Sequence, residues 1–166
     1  MSGIIGVGQD ETSGVIGDFP AGHVLQVVSA GAKSGAKLTT TSQSYVEYSG
    51  TGTSVTITPS STTSKVRVTA FGALVNTHYN KTIYVSLCRT SASNVLMNAG
   101  AYRDSTDTVT RSYISLEHLD SPSTVSAVTY KVFIKINQTQ GSVIWGDGMN
   151  DEDENCTVIT AQEIKG

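Results

Sequence analysis

The stretch SAVTYKVFIKIN, residues 126–137, alternates, with Phe133 the one apolar side chain on its polar side. Val128, Tyr130, Val132, Ile134 and Ile136 fall on one side of an extended chain, and Thr129, Lys131, Phe133 and Lys135 on the other. Side chains of a β-strand point to opposite faces in turn, so an apolar set at a period of two describes a strand half-buried against a core. On a helix, Val128 and Val132 would share a face with Lys131 and Lys135, and no clean apolar stripe would result.

The same period recurs along the chain. SKVRVTAFGALV (64–75) places Val66, Val68 and Ala70 on one face, KTIYVSLCR (81–89) does so with Ile83, Val85 and Leu87, and RSYISLEHLD (111–120) continues it. HVLQVV (23–28) reads as the first strand and CTVITAQEI (156–164) as the last. YVEY (45–48) and SVTITP (54–59) flank Gly50 and Gly52, which predicts a hairpin closed there. Residues 29–44, rich in Ala, Gly, Lys, Ser and Thr, read as a linker. No stretch carries a helical period with caps. The expectation is an all-β chain of eight or nine strands, folded as an antiparallel β-sandwich of jelly-roll type.

Composition points the same way. Ser and Thr fill 43 of 166 positions and charged residues only 15%, a balance that favours strands over helices. The length suits one domain that buries its own core. We expect residues 1–20, which lack a sustained period and end at Pro20, to form an N-terminal arm, and residues 21–166 the folded domain. No window reaches the length of an apolar membrane span, and the N-terminus lacks the pattern of a secretory signal. The expectation is a soluble protein made in the cytoplasm, without a membrane partner.

Five of the fourteen acids, Asp147, Asp151, Glu152, Asp153 and Glu154, crowd into eight positions; without them the net charge of −3 becomes +2. No basic cluster points to nucleic acid. Asp151, Asp153 and Asn155 resemble the start of a calcium loop, but Cys156 stands where such a loop needs Gly. A solvated loop is the simpler reading, so we expect no metal and no cofactor. His23, His78 and His118 lack metal-ligand spacing, and Cys88 and Cys156 have no CxxC pattern and read as buried thiols, a single bridge between them being the alternative.

Signs of catalysis are absent from the motifs: no nucleophile elbow, P-loop or GxGxxG follows a strand. A glycosidase needs two converging carboxylates, and Glu117 with Glu163 is one pair the sequence leaves open. We expect a protein that is not an enzyme. Tyr79, Tyr84, Tyr102, Phe133 and Trp145 are candidates for a sugar or receptor patch, with core or interface packing as the competing use. The last strand is apolar on both faces, Val158 on one and Ile159 and Ala161 on the other, so Val158, Ile159, Ala161 and Ile164 are candidate subunit-interface residues.

Two glycine-bounded apolar units open the chain, Gly3-Ile4-Ile5-Gly6 and Gly14-Val15-Ile16-Gly17. This arm, with AGHVLQVV, SYVEYSGTGTSVTITPSSTTSKVRV, LDSPSTVSAVTYKVFIK and TVITAQEIKG, resembles short virion proteins of tailed bacteriophages, particularly marine and cyanobacterial phages. The resemblance implies a tumour-necrosis-factor-like jelly-roll knob assembled as a homotrimer on the virion surface. It further implies a head-decoration (cement) or head-fibre protein whose arm, through Gly3, Ile4, Ile5, Gly6, Gly14, Val15, Ile16 and Gly17, docks on the capsid or another virion protein. The alternative within the same resemblance is a tail-fibre knob, an adhesin that grips a host cell-surface glycan or receptor. This chain departs from the family at 147–154, where other members are uncharged. It also lacks heptads or other repeats that would build a long shaft.

Overall fold

The computed structural model describes residues 19–32, 38–47, 53–77, 80–103, 110–138, 141–146 and 157–166. These form eleven strands: β1 (Val24–Ala32), β2 (Leu38–Thr40), β3 (Val46–Glu47), β4 (Ser54–Ile57), β5 (Lys65–Asn76), β6 (Lys81–Arg89), β7 (Val95–Arg103), β8 (Thr110–Asp120), β9 (Val128–Ile136), β10 (Val143–Trp145) and β11 (Thr157–Ile164). None of the described residues is helical.

The strands make two antiparallel sheets. In sheet A, β5 pairs with β8 along its whole length on one edge; its other edge is shared between β11 at Lys65–Phe71 and β10 at Leu74–Asn76. Beyond these lie β1 on β11 and β2 on β10. In sheet B the order runs from β3 and β4, both on one edge of β9, through β9 and β6 to β7. Counting β1 with β2, β3 with β4, and β10 with β11 as interrupted single strands leaves eight. Their order is 1-8-3-6 in one sheet and 2-7-4-5 in the other, the two interlocked Greek keys of a jelly roll. The protein is therefore an antiparallel β-sandwich, as the alternation predicts.

Several local expectations need correction. β3 and β4 do not form a hairpin: Val46 pairs with Ile134 and Val55 with Tyr130, so the two lie end to end along β9. The unsatisfied edge of the nine-residue β9 is long enough to take both. The supposed linker holds the end of β1 and all of β2. β7 and β10 are strands that the pattern does not announce. β7 pairs with β6 across a register shift at Leu87/Cys88, and the bulge breaks its period of two.

The core lies between the sheets and is built from the residues that the alternation singles out. Val66, Val68 and Ala70 of β5, Ile83, Val85 and Leu87 of β6, and the five inward residues of β9 are all buried, with Leu116, Ile159 and Ala161. Trp145 of β10 closes one end, its ring lying against Gly72 of β5. A Cβ at Gly72 would stand 2.5 Å from Trp145 Cζ2, so only glycine fits beneath the indole.

Two buried polar clusters tie the layers together. Tyr130 of sheet B donates to Asp120 Oδ2 of sheet A at 2.9 Å, and Arg89 Nη1 donates to the same oxygen at 3.1 Å. Burial, then the bond to Asp120, raises the Tyr130 hydroxyl above its ordinary pKa. At the other end Glu163, 1% exposed, accepts from Ser60 N at 2.7 Å, Ser60 Oγ at 2.6 Å and Gln26 Nε2 at 2.6 Å. The Gln26 amide also donates to Thr58 O at 2.7 Å. The TPSS segment is thus clamped onto β1 and β11 by one carboxylate.

Burial alone would push the Glu163 pKa up; the Ser60 hydroxyl, the Gln26 amide and the Ser60 N–H outweigh it and hold the group at about 2. The buried Ser64 hydroxyl adds to the field without closing a hydrogen bond of good geometry. A depressed carboxylate stabilises the fold at neutral pH and loses that contribution as pH falls from about 4.5 to about 2. Glu163→Gln is expected to remove on the order of 2 kcal/mol at pH 7 and to flatten the acid limb of the stability profile. Urea titrations of both proteins from pH 7 to pH 2.5 measure this; parallel profiles would refute it.

Candidate functional site

With one face of each sheet spent on the core, function falls to the outward faces. On sheet A, register places Gly31, Val158, Phe71 and Ser115 in one row across β1, β11, β5 and β8, then Ser29, Thr160, Thr69 and Glu117, then Val27, Gln162, Arg67 and Leu119. Phe71 stacks on Tyr113 with ring centroids 5.9 Å apart and planes 3° from parallel. Both rings are exposed to solvent, as are Val27 and Leu119. Parallel stacking of two exposed rings on a sheet face leaves a flat apolar surface that water solvates poorly.

Arg67 and Glu117 cross this face as a two-pronged pair, Nε to Oε1 at 3.0 Å and Nη2 to Oε2 at 2.9 Å. The hydrogen bond from Arg67 lowers the Glu117 pKa. In solvent such a pair contributes little to stability, yet it keeps the centre of the face charge-neutral.

The outward face of sheet B has different chemistry. Tyr45, just before β3, lies beside Lys135 of β9, which pairs with Tyr84 of β6, which in turn pairs with Gly100 of β7. The Lys135 ammonium sits 4.3 Å from the Tyr45 ring centroid and 5.3 Å from that of Tyr84. The Tyr45 side chain reaches across β9 and β6, and its hydroxyl donates to Asn98 Oδ1 at 3.3 Å; Ser86 Oγ donates to the same oxygen. Tyr84 lies over Gly100, where a Cβ would meet its Cδ1 at 3.3 Å. Among the described residues the acid on this face is Glu47, spent on Lys131 at 2.7 Å.

The structure sorts the aromatic candidates. Trp145 is core and Phe133 is buried beneath the sheet B face, so neither is available to a ligand. Tyr84 and Tyr102 are on that face, Tyr102 donating to Asn80 Oδ1 at 2.6 Å, while Tyr79 lies outside the described residues. Tyr45, Lys135 and Asn98 were not singled out by the sequence, because only strand pairing brings them together. Phe71 and Tyr113 escaped notice for the same reason.

The interface candidates divide by face. Ile159 and Ala161 point into the core, whereas Val158 and Ile164 are half-buried on the outward face of sheet A. Glu117 and Glu163 do not converge, since one is exposed on the outward face and the other buried within. No group of three or more His, Cys, Asp and Glu side chains that could hold a metal occurs among the described residues. His118 is half-buried on β8 and His23 is exposed against Phe19; His78 lies outside the described residues. So do Gly3, Ile4, Ile5, Gly6, Gly14, Val15, Ile16 and Gly17 of the arm, and Asp151, Asp153 and Asn155 of the acidic segment.

No protein-family model matches the chain, and no curated protein matches its sequence. Among solved structures it is similar to an Eiger TNF from S. frugiperda, with 12% identity over 84% of this chain and 92% of that one at a TM-score of 0.44. It is also similar to the VP2 protein of infectious bursal disease virus, with 11% identity over 95% of this chain and 40% of that one at a TM-score of 0.45. The chain thus spans less than half the length of VP2. A third is the CBM22-1 xylan-binding domain of Paenibacillus barcinonensis Xyn10C, with 12% identity over 90% of this chain and 99% of that one at a TM-score of 0.34.

Cys88 is fully buried and unpaired, and burial pushes its thiol up to about 11. Thiolate is the reactive form, so in a Cys156→Ser background Cys88 is expected to resist iodoacetamide at pH 8 until urea unfolds the chain. Stoichiometric labelling of the native protein, read by mass spectrometry, would contradict the burial.

Proposed function

We propose that the chain is a non-enzymatic virion surface protein of a tailed phage, a homotrimer that associates through the outward face of sheet A and docks on the capsid through its N-terminal arm. The observation that carries this reading is the exposed Phe71–Tyr113 stack, flanked by Val158 and Leu119 on a sheet whose other face already supplies a complete core. A sandwich that folds alone needs only one apolar face per sheet. The second face is best used against copies of itself, where Phe71 would meet the same patch or its neighbour.

The trimeric stoichiometry and the phage setting come from the resemblance of the arm and the strands. The arm's residue types suit docking: each Gly permits close approach, and Ile4, Ile5, Val15 and Ile16 are apolar plugs. Fully burying each plug stabilises a complex by about 1.5–3 kcal/mol before the cost of ordering the arm.

Sedimentation velocity is expected to give a mass three times 17.4 kDa. Replacing both rings, Phe71→Glu with Tyr113→Glu, is expected to weaken self-association by about a hundredfold or more, as loss of an aromatic anchor does, while circular dichroism stays unchanged. A monomeric wild-type chain would remove the self-association reading.

Deleting residues 1–17 is expected to leave the trimer intact but to abolish incorporation into particles, scored by electron microscopy of phage assembled with the truncated protein. Decoration by the truncated chain would refute anchoring by the arm, and label confined to the tail would favour the adhesin alternative.

A further inference from the structure

On the outward face of sheet B a cation is held between two rings, with no acid beside it among the described residues. Lys135 lies between Tyr45 and Tyr84. None of its three N–H donors, and not the Tyr84 hydroxyl, meets a hydrogen-bond partner among the described residues. An exposed cation–ring contact is weak, and a lysine with a free stem ordinarily extends to water or to a carboxylate. Glu47, the acid that the described residues place on this face, is engaged with Lys131. Among the described residues, this face offers the Lys135 cation no carboxylate of its own.

Around the cation the face presents flat, polar-edged groups. Asn98, exposed on β7, has its oxygen occupied by Tyr45 and Ser86, which turns its two amide N–H donors to other acceptors. Tyr45 and Tyr84 flank β9, about two strand spacings or 10 Å apart. Phe133, the apolar residue of this face, is buried beneath them. The surface thus offers ring faces, hydroxyls, an amide and a central positive charge.

We infer that this face binds an acidic polysaccharide laid across the strands, its carboxylate or sulfate on Lys135 and its hydroxyls on Tyr84 and Asn98. A stiff chain that alternates anionic groups with hydroxyls satisfies both the cation and the surrounding donors. An acidic peptide, such as one with the sequence of residues 146–155, is the competing occupant, and the test below separates the two. Because sheet B's outward face is opposite the face assigned to self-association, the inference stands whether or not the chain is trimeric.

The test is affinity electrophoresis of the full chain through gels containing alginate, dextran sulfate or neutral dextran. Retardation is expected in one or both acidic gels and not in neutral dextran, and the pair separates a uronate from a sulfate ligand. Lys135→Gln is expected to weaken binding by about tenfold or more, the usual loss for one charge-assisted contact, while Lys135→Arg restores it. Tyr84→Phe removes a hydroxyl without disturbing the ring over Gly100 and is expected to weaken binding severalfold. Lys65→Gln, an equal loss of charge on sheet A, is expected to have no effect. The inference is overturned if neither acidic gel retards the chain, if Lys65→Gln and Lys135→Gln act alike, or if neutral dextran binds equally. Binding of a synthetic 146–155 peptide that Lys135→Gln abolishes, without retardation by either polysaccharide, would overturn it in favour of the acidic segment.

Discussion

Sheet A is organised by the length of β5. Twelve residues of extended chain reach about 40 Å, longer than either strand that comes to its edge beside β1 and β2. The edge is divided: β11 ends its pairing at Phe71 and β10 begins at Leu74. At that hand-over stands Gly72, and into the space above it Trp145 lays its ring. A larger residue would displace the indole, unseat β10 and with it β2. The junction that looks like a break in the sheet is held by the bulkiest side chain of the core.

Both outward faces carry large side chains as well. Sheet A has one face filled by the core, and its outer rows carry the exposed Phe71, Tyr113, Val27 and Leu119. Sheet B carries a cation and tyrosines instead. The first is the face proposed for self-association, the second the face proposed for a hydrated, charged ligand. Phe71 and Tyr113 stack on each other, and Lys135 has rings for neighbours, so each face is pre-ordered and binding costs little further side-chain entropy.

The strands with sustained alternation, β5 as far as Ala70, β6 and β9, were legible because burial of one face imposes a period of two on residue type. β7 was not: its bulge opposite Leu87/Cys88 shifts the alternation, and as an edge strand it leaves Val95 and Met97 exposed. β10 has three residues, too few to carry a period. The expected hairpin at Gly50 and Gly52 failed because two short apolar runs separated by glycines look alike whether they pair with each other or share a third strand. Which happens depends on β9, some eighty residues away.

What the sequence by itself determined is the fold class and the identity of the core, since alternation of Val, Ile and Leu with Thr, Lys and Ser records which face of each strand meets water. The arm's apolar units and the acidic run were also plain in it. The tertiary structure decided which residues become neighbours. Phe71 meets Tyr113, Lys135 meets Tyr45 and Tyr84, and Glu163 meets Ser60 through contacts between strands distant in the chain. Local preference carries no information about such pairing; register, set by how the two sheets share one core, does.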